Sequence, residues 1–283
     1  MNYRHAYHAG NFADVVKHAV FARVVAHLKE KPTAFRIIDT HAGAGLTDLA
    51  GAEATRTGEW QAGIGRLLSA PLPADVAALL APYLAVVRAL NAGRGLATYP
   101  GSPLLARAWL RPQDRLLACE IEPKAAAALA RRLKGDERTT AVMLDGWTAL
   151  CAWVPPKERR GAVLIDPPFE QPDEFERMRE KLREAHRKWS RGIYLLWYPI
   201  KDRHDADAFA HALARLGIAK ILRAEIMVET LARADRLIGS GLVVVNPPWR
   251  LERELAILLP ALAAVLARDR RGRSRVDWLA GEN

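Results

Sequence analysis

The sequence predicts an α/β fold in which a seven-stranded, mostly parallel sheet is flanked by helices. Short runs rich in β-branched residues alternate with longer segments of helical periodicity, and this alternation is typical of parallel sheets covered by helices. The candidate strands are residues 35–39, 115–120, 140–144, 162–166, 192–198, 220–228 and 241–246. The candidate helices are residues 11–30, 123–134, 173–189 and 204–216. Asn11 has the right side chain to cap the first helix.

One connection in this pattern is too long. Roughly eighty residues separate Asp39 from Glu120, whereas a doubly wound unit places the acid of its second strand about twenty residues after the glycines. The excess lies in residues 46–98, which are rich in Ala and Leu and include the helical pattern of 74–93. We therefore expect a sheet domain made of residues 1–45 and 99–283, with residues 46–98 as an inserted helical subdomain.

The composition indicates a packed globular protein with a positive surface. Half of the 283 residues are apolar, which is enough for one large domain or two modest ones. Lys and Arg number 42 against 32 Asp and Glu, a net charge of +10 that favours a polyanionic partner such as nucleic acid. The alternative is a merely soluble, Arg-rich protein. Part of the charge lies in residues 267–275, which have the pattern of a solvated tail.

The cysteines and the apolar segments predict a cytoplasmic location. Cys119 and Cys151 form no Cys-x-x-Cys motif, and two cysteines fit a reducing compartment. The first fourteen residues lack the apolar stretch of a signal peptide. The longest apolar stretch, residues 255–267, is too short to span a bilayer and contains Pro260. No membrane association is expected.

The stretch "IIDTHAGAG" at 37–45 is an apolar strand that runs into a glycine-rich turn. Glycines let the backbone approach a ligand closely, and the N–H groups beyond them can hold an anion. The dinucleotide fingerprint needs a third glycine where this chain has Asp48, which disfavours a pyrophosphate and a nucleotide-dependent oxidoreductase. A turn around a smaller nucleoside and a plain strand–helix turn both remain open.

Acids end the strands that follow. Glu120 ends the second strand, where a carboxylate can accept both hydroxyls of a ribose; Glu122 shares its face, so spacing does not decide between them. Asp145-Gly146 follows the third strand, where a carboxylate can accept from the amine of an adenine ring, and Asp166 ends the fourth. In open α/β sheets, ligands bind at the carboxyl ends of the strands. Loop residues and helix caps are the alternative explanation for each acid alone.

This order resembles that of class I S-adenosylmethionine-dependent methyltransferases, whose fold is Rossmann-like. The run 163–170, "VLIDPPFE", contains an Asp-Pro-Pro-aromatic motif similar to that of enzymes that methylate exocyclic amines. An adenine N6 is a poor nucleophile because its lone pair is delocalised into the ring. The Asp166 carboxylate and the Pro167 carbonyl can accept both N–H bonds, and Phe169 can stack on an extruded base.

Further motifs narrow the resemblance to the RlmJ family of bacterial 23S rRNA adenine-N6 methyltransferases. They are "YRHAYHAGNFADVVKH" (3–18), "DTHAGAG" (39–45), "YPGSP" (99–103), "LWYP" (196–199) and "NPPW" (246–249). The resemblance implies S-adenosylmethionine as cofactor and an adenine of 23S rRNA as substrate. It implies a cofactor site lined by His18, His41, Ser102, Glu120, Asp145, Gly146 and Asp166. It also implies that Tyr3 meets the RNA and that Asp166 accepts the proton, although Phe169 replaces the usual Tyr.

Two alternatives and one negative expectation accompany this interpretation. A DNA adenine-N6 methyltransferase would use the same corner, and a non-catalytic RNA-binding protein could keep the same scaffold. A zinc site made of His5, His8 and His18 is disfavoured, because no carboxylate stands at a familiar ligand spacing and methyl transfer needs no metal. We expect a monomer that acts on 23S rRNA, either free or in an assembling large subunit.

A second Pro-Pro corner, Asn246-Pro247-Pro248-Trp249, follows the seventh candidate strand. In this fold class that strand inserts antiparallel near the edge of the sheet, so its carboxyl end should point away from the cofactor. The second corner is therefore expected to be a rigid turn capped by a packed Trp249, and only the first corner is expected to be catalytic.

Overall fold

A computed structural model describes residues 7–229, 236–269 and 271–281. The strands are β1 (Arg36–Asp39), β2 (Leu46–Asp48), β3 (Thr98–Pro100), β4 (Arg115–Glu120), β5 (Thr139–Met143), β6 (Gly161–Ile165), β7 (Ile193–Ile200), β8 (Ile221–Met227), β9 (Gly239–Val245) and β10 (Arg273–Ala280). The helices are α1 (Phe12–Lys29), α2 (Ala52–Thr57), α3 (Arg66–Ser69), α4 (Ala74–Leu90), α5 (Ser102–Trp109), α6 (Pro123–Leu133), α7 (Gly146–Ala152), α8 (Glu174–Lys188), α9 (Arg203–Ala214) and α10 (Leu251–Leu266). A short π-helix spans Gln61–Gly65.

The described residues form a main sheet of eight strands in the order β10-β8-β9-β7-β6-β1-β4-β5. The five strands from β5 to β7 are parallel, while β9 pairs antiparallel with both β7 and β8. All seven candidate strands are present, so the predicted α/β class is confirmed, but the expected count of seven is wrong. The eighth strand, β10, pairs antiparallel with β8 at the sheet edge. Its first three residues belong to the run 267–275, whose charges had the pattern of a solvated tail.

Apolar side chains of successive strand residues enter two separate cores, one on each face of the sheet. Ile37 of β1 belongs to the core that contains α1, α4 and α10, and Ile38 belongs to the core that contains α8 and α9. This division follows from the alternation of side chains along a strand. α1 lies deep in the first core, with 14 of its 18 residues buried. Asn11 caps it as expected, accepting from the N–H groups of Ala13 and Asp14.

Residues 46–98 lie in the connection from β1 to its neighbouring strand β4. They contain α2, the π-helix, α3 and α4. They also contain β2 and the first residue of β3, two strands that together form a two-stranded antiparallel sheet. The predicted helical pattern at 74–93 corresponds to α4, which packs against both α1 and α10. Its Tyr83 is fully buried. This segment therefore covers the same side of the sheet as α1.

The two Pro-Pro corners lie at opposite rims of the sheet. Asp166 follows β6 at the rim where the parallel strands end, here called the carboxyl-end rim. Asn246 follows the antiparallel β9, so it lies at the opposite, amino-end rim. The expected orientation of the second corner is thus correct, but the expectation of a packed Trp is wrong. Trp249 is 77% exposed, and the chain returns to the core only at Leu251, the first residue of α10.

None of the helices within the described residues is both long enough and apolar enough to cross a membrane.

Candidate active site

Four carboxylates meet at the carboxyl-end rim. Asp39 ends β1, Glu120 ends β4, and Asp166 directly follows β6. Since β1 pairs with both β4 and β6, these three residues belong to adjacent strands. Asp145 follows β5, the next strand beyond β4. Parallel pairing thus gathers acids that lie far apart in the sequence.

The glycine-rich turn after β1 is hydrogen-bonded to Glu120. Gly43 and Gly45 have φ angles of +61° and +83°, a region that favours glycine. The Gly43 N–H donates to Glu120 Oε2 over 2.9 Å, and the Glu122 N–H donates to Glu120 Oε1 over 2.7 Å. Because each carboxylate oxygen has two lone pairs, Glu120 can still accept from two hydroxyl groups of a ligand.

Glu122 has a different task from Glu120. It is the N-cap residue of α6, and its side chain accepts from the Ala125 N–H over 2.6 Å. Capping of this kind stabilises a helix end by satisfying a free N–H group. The ambiguity that spacing left open is thereby reduced: Glu120 contacts the glycine turn, while Glu122 serves the following helix.

His41 and Gly146 are in close approach beside the glycine turn. A Cβ atom on Gly146 would lie 2.3 Å from the Thr40 carbonyl oxygen and 2.6 Å from His41 Nε2, so only glycine fits there. His41 Nδ1 is 2.8 Å from Thr40 Oγ1, and its ring packs edge-on against Trp147. Burial lowers the pKa of His41 to about 4, so the imidazole is neutral at pH 7.

Asp145 is engaged as a helix cap. Its Oδ2 accepts from both the N–H and the hydroxyl of Thr148 at 2.9 Å, at the start of α7. Its other oxygen lies 4.0 Å from the guanidinium of Arg177, and the side chain is partly exposed. One carboxylate oxygen therefore faces outward with a loosely placed cation nearby, which leaves it able to accept from a ligand amine.

Asp166 forms an ion pair with a lysine that the sequence analysis did not single out. Lys17 Nζ lies 2.5 Å from Asp166 Oδ2 and 2.7 Å from Asp14 Oδ1. Burial alone would favour the neutral amine, but the two carboxylates raise the pKa of Lys17 above its usual value, so it stays charged. A sequence signal existed: Asp14 and Lys17 are the charged residues of the first three turns of α1, and they stand three apart among mostly apolar residues.

Asp39 was also missed as a site residue. It is fully buried, and neither carboxylate oxygen has a hydrogen bond of good geometry within the described part of the chain, although the Ser102 side chain and the His41 N–H lie close enough to stabilise its charge. Burial raises the pKa of Asp39 to about 7, and the negative charge of Asp166 acts in the same direction, while nearby Ser102 and Lys17 oppose the rise. Ser102 is buried at the start of α5. Such a carboxylate is suited to a cationic or donor group of a ligand.

The remaining predicted cofactor residue, His18, has buried aromatic neighbours. Its Nδ1 lies 2.8 Å from the hydroxyl of Tyr99, on which its ring also stacks. The Tyr99 hydroxyl is in turn 2.7 Å from that of Tyr83 in α4. These contacts place His18 on the side of the site that faces residues 46–98, away from Glu120 and Asp145 on the other side of β1.

A cavity of about 320 Å³ opens beside Asp166. Phe169 and Trp197 form part of its wall, with ring centroids 5.7 Å apart, and Lys17 lies 5.9 Å from the Trp197 ring. Phe169 has a φ of +51°, and a second aromatic contact with Phe175 holds its ring. Pro168 lines the cavity, whereas Pro167 is buried behind it. The cavity has the size and the aromatic wall that a flat heterocycle requires.

The predicted RNA contact and the disfavoured zinc site both involve residues near the N-terminus. The predicted RNA contact Tyr3 lies outside the described residues, as does His5. His8 forms an ion pair with Glu59 at 3.0 Å. Across residues 7–229, 236–269 and 271–281, no group of three or more His, Cys, Asp or Glu side chains is arranged to hold a metal ion.

Comparison with known proteins decides the family. The model of the family described as "Ribosomal RNA large subunit methyltransferase D, RlmJ" matches residues 32–280. The protein named ribosomal RNA large subunit methyltransferase J from Escherichia coli is 40% identical over 284 residues, covering 100% of both chains. The protein of the same name from Haemophilus influenzae is 38% identical with the same coverage. The chain belongs to the RlmJ family.

A solved structure from Legionella pneumophila is similar to this RlmJ family member over nearly its whole length. It has 30% sequence identity and a TM-score of 0.86, and the match covers 95% of this chain and 98% of the other. The predicted family and the predicted fold are therefore confirmed. The recognised motifs assemble into one site on this fold: His41, Glu120, Asp145 and Gly146 lie on one side of Asp39, and Lys17, Asp166 and Phe169 on the other.

Proposed function

We propose that this chain methylates the N6 amine of an adenine in 23S ribosomal RNA, with S-adenosylmethionine as the methyl donor. One observation carries the proposal: the Asp166 corner and its aromatic cavity adjoin the strand end that bears the glycine turn. Family membership supports the choice of substrate, since both curated relatives are named as large-subunit rRNA methyltransferases.

The residues of the carboxyl-end rim fit this cofactor. Glu120 has acceptors for the two ribose hydroxyls, and Asp145 has an outward oxygen for the adenine amine. The buried carboxylate of Asp39 is suited to an ammonium group such as that of the methionine moiety. His41 and Ser102 complete the wall of the proposed cofactor site. When bound, S-adenosylmethionine supplies an electrophilic methyl group on a positively charged sulfur.

Asp166 orients the target amine in this mechanism. Lys17 occupies Asp166 Oδ2, so Oδ1 remains to accept one N6–H bond of the adenine, and the Pro167 carbonyl is proposed to accept the other. These bonds draw the N6 lone pair out of the ring and align it with the methyl group. Formation of the new N–C bond would break the bond between the methyl group and sulfur and leave a neutral thioether; N6 would then be cationic and acidic, and Asp166 would accept its proton.

Cationic side chains line the cavity that the substrate base is proposed to enter. Lys201 and Arg268 line the cavity together with Phe169 and Trp197, and cations there can hold phosphates on either side of the target nucleotide. Because protein side chains do not read the deep groove of A-form RNA, the target adenine must be unpaired or extruded to reach Asp166. We propose that Phe169 stacks on that base and that Tyr3 contacts the RNA.

We further propose the wider organisation in which this reaction takes place. Residues 46–98 form an inserted helical subdomain on a methyltransferase domain of residues 1–45 and 99–283. The packing of α4 against α1 and α10 supports a role in bracing the helix that carries Lys17. The protein acts as a cytoplasmic monomer on rRNA, either free or in an assembling large subunit.

The direct test measures N6-methyladenosine by mass spectrometry after reaction of the purified protein with 23S rRNA transcripts. Paired DNA that contains the same sequence serves as the competing substrate. We expect methylation of a single adenine in the RNA and an RNA affinity that falls steeply with salt while cofactor affinity hardly changes. Equal activity on paired DNA would favour the DNA methyltransferase alternative. Salt-dependent RNA binding without any methylation would favour a non-catalytic RNA-binding protein.

A further inference from the structure

The second Pro-Pro corner presents an aromatic ring to solvent rather than to the core. Trp249 is 77% exposed, the largest exposure among the large apolar side chains of the described residues. Tryptophan is enriched at interfaces, so an indole this open is a candidate contact residue. The Arg250 guanidinium lies 4.8 Å from the Trp249 ring centroid on one side, which leaves the other face of the ring available.

The turn beneath Trp249 is rigid. Asn246 has a φ of +52°, and its side-chain amide donates to the carbonyls of Ser190 at 2.8 Å and Gly192 at 2.7 Å. Its backbone N–H donates to the Lys220 carbonyl. Three bonds to two neighbouring segments therefore fix the corner before the chain enters α10. A fixed, exposed ring loses little conformational freedom when it stacks on a partner.

Basic side chains from several segments lie near this corner, and one of them, Arg250, stacks on the ring. Arg191 is exposed between the two carbonyls that Asn246 binds, and Lys31 is exposed after α1. The positive charges of Arg160, Arg250 and Lys31 all act on His27; burial lowers the pKa of His27, Glu30 opposes this, and the three cations lower it further. Glu30 is the acid of this group, and it is paired with Arg250. We call Trp249, Arg250, Lys31, Arg160 and Arg191 the Trp249 surface.

We propose that the Trp249 surface is a second RNA contact, in which Trp249 stacks on an unpaired base and the four cations hold the adjoining phosphates. This proposal rests on the proposed rRNA substrate. Charge favours RNA over an apolar protein segment, because the ring is stacked with Arg250 and the neighbouring segments expose Lys31 and Arg191. Exposed aromatic rings between cations are the usual elements of sequence-tolerant binding to single strands.

The two contacts would lie at opposite rims. The eight residues of β7 span about 26 Å between those rims. At about 3.4 Å per phosphate along a duplex strand, roughly eight nucleotides cover that distance. An RNA with its target adenine at Asp166 can thus reach Trp249 only if it extends well beyond the target. The second contact would strengthen binding of long rRNA and would not affect a short fragment.

The experiment compares Trp249→Ala, Trp249→Phe and wild type on two RNAs that contain the same target adenine. One is a long 23S rRNA fragment, and the other is trimmed to within a few nucleotides of the target. We expect Trp249→Ala to raise KM for the long RNA about tenfold with kcat unchanged, because loss of one stacked base has an effect of this order. Trp249→Phe, which keeps a stacking face, should recover most of that loss, and KM for the trimmed RNA should stay unchanged.

Charge variants provide a second, independent measurement. Replacing both Lys31 and Arg191 by Glu should reduce affinity for the long RNA and flatten its salt dependence. Arg88→Ala, at an exposed position of α4, is the matched control and should change neither. Affinity is measured by filter binding without cofactor, so the result does not depend on methylation.

Several results would overturn the proposal. An unchanged KM for the long RNA in Trp249→Ala would do so, as would equal losses on both RNAs, which would indicate a disturbance of the catalytic end. If Trp249→Ala raised KM for pre-ribosomal particles but not for naked RNA, the Trp249 surface would bind a protein instead. If the wild type bound long RNA through Trp249 but methylated nothing, the proposed function would be wrong while the RNA contact would stand.

Discussion

The two Pro-Pro corners have nearly the same sequence and opposite surroundings. Asp166 follows a central parallel strand, and its side chain is largely buried against the ammonium of Lys17. Asn246 follows an antiparallel strand, and its amide binds two backbone carbonyls of the neighbouring turn. Even the backbones differ, because the positive φ falls on the fourth residue of the first corner, Phe169, and on the first residue of the second.

The difference between carboxylate and amide explains this division. An amide has two donors and can fasten a turn to carbonyl oxygens, which a carboxylate cannot do. A carboxylate has only acceptors; Lys17 contacts one oxygen of Asp166, and the other is the one proposed to accept from the N6 amine. The aromatic residues follow the same logic: Phe169 lines a cavity with Trp197, whereas Trp249 faces solvent. The direction of one strand thus separates a site for chemistry from a structural turn.

The largest expected effect comes from removing Lys17, the cation that pairs with Asp166 of the first corner. Lys17→Met would leave Asp14 and Asp166 buried without their shared partner, which typically costs about 3–5 kcal/mol in the free energy of unfolding. The matched change at the second corner is Arg250→Met, which breaks an exposed pair with Glu30 and should cost at most about 1 kcal/mol. Urea unfolding at pH 7 measures both. Similar losses would contradict the contrast between a buried and an exposed pair.

The second prediction concerns catalysis. Asp166→Ala should lower the single-turnover rate of methylation by at least about two orders of magnitude, as expected for loss of a positioned proton acceptor. Asn246→Ala should stay within a few-fold of wild type, because its amide contacts only the turn. Circular dichroism first establishes that both variants are folded. The reverse ranking would show that the second corner carries the chemistry.

A third prediction distinguishes Glu120, at the end of β4, from Glu122, at the start of α6. Glu120→Ala should weaken S-adenosylmethionine binding by roughly 1.5–3 kcal/mol through loss of charge-assisted hydrogen bonds. Glu122→Ala should leave cofactor affinity unchanged and cost about 1 kcal/mol of stability, because it removes the cap of α6. Calorimetry with the purified variants measures the affinities. An affinity loss confined to Glu122→Ala would identify the other carboxylate as the ribose ligand.

Much of the fold could be predicted from the sequence, because apolar periodicity determines which segments form strands. All seven candidate strands were correct, and the glycine turn and the strand-end acids identified the rim. The eighth strand was missed because an edge strand exposes one side, so Arg273, Arg275 and Asp277 look like a tail. The exposure of Trp249 was also missed. Sequence alone shows a tryptophan after two prolines and does not show where α10 begins.

The candidate site was only partly predictable, since two of its groups act through tertiary contacts. Lys17 is 149 positions from Asp166, and only the packing of α1 against the sheet brings them together. Asp39 belongs to a motif that was recognised for its glycines, and its importance lies in burial without a hydrogen bond of good geometry. Spacing could not separate Glu120 from Glu122, whereas the hydrogen bond from the Gly43 N–H distinguishes them at once.

The smallest expected effect tests whether the amide hydrogens of Asn246 hold the second corner. Asn246→Asp keeps the side-chain shape and tolerates the positive φ, but it removes both donors and places a negative charge against the carbonyls of Ser190 and Gly192. We expect a loss of about 1–2 kcal/mol in the free energy of unfolding, the usual result when buried or half-buried acceptors lose their donors. Urea unfolding measures the stability loss, and methylation of a trimmed RNA measures activity. Unchanged stability with a tenfold loss of activity would contradict a purely structural role for this residue, because a turn that only supports the chain cannot affect chemistry at the opposite rim without first weakening the fold.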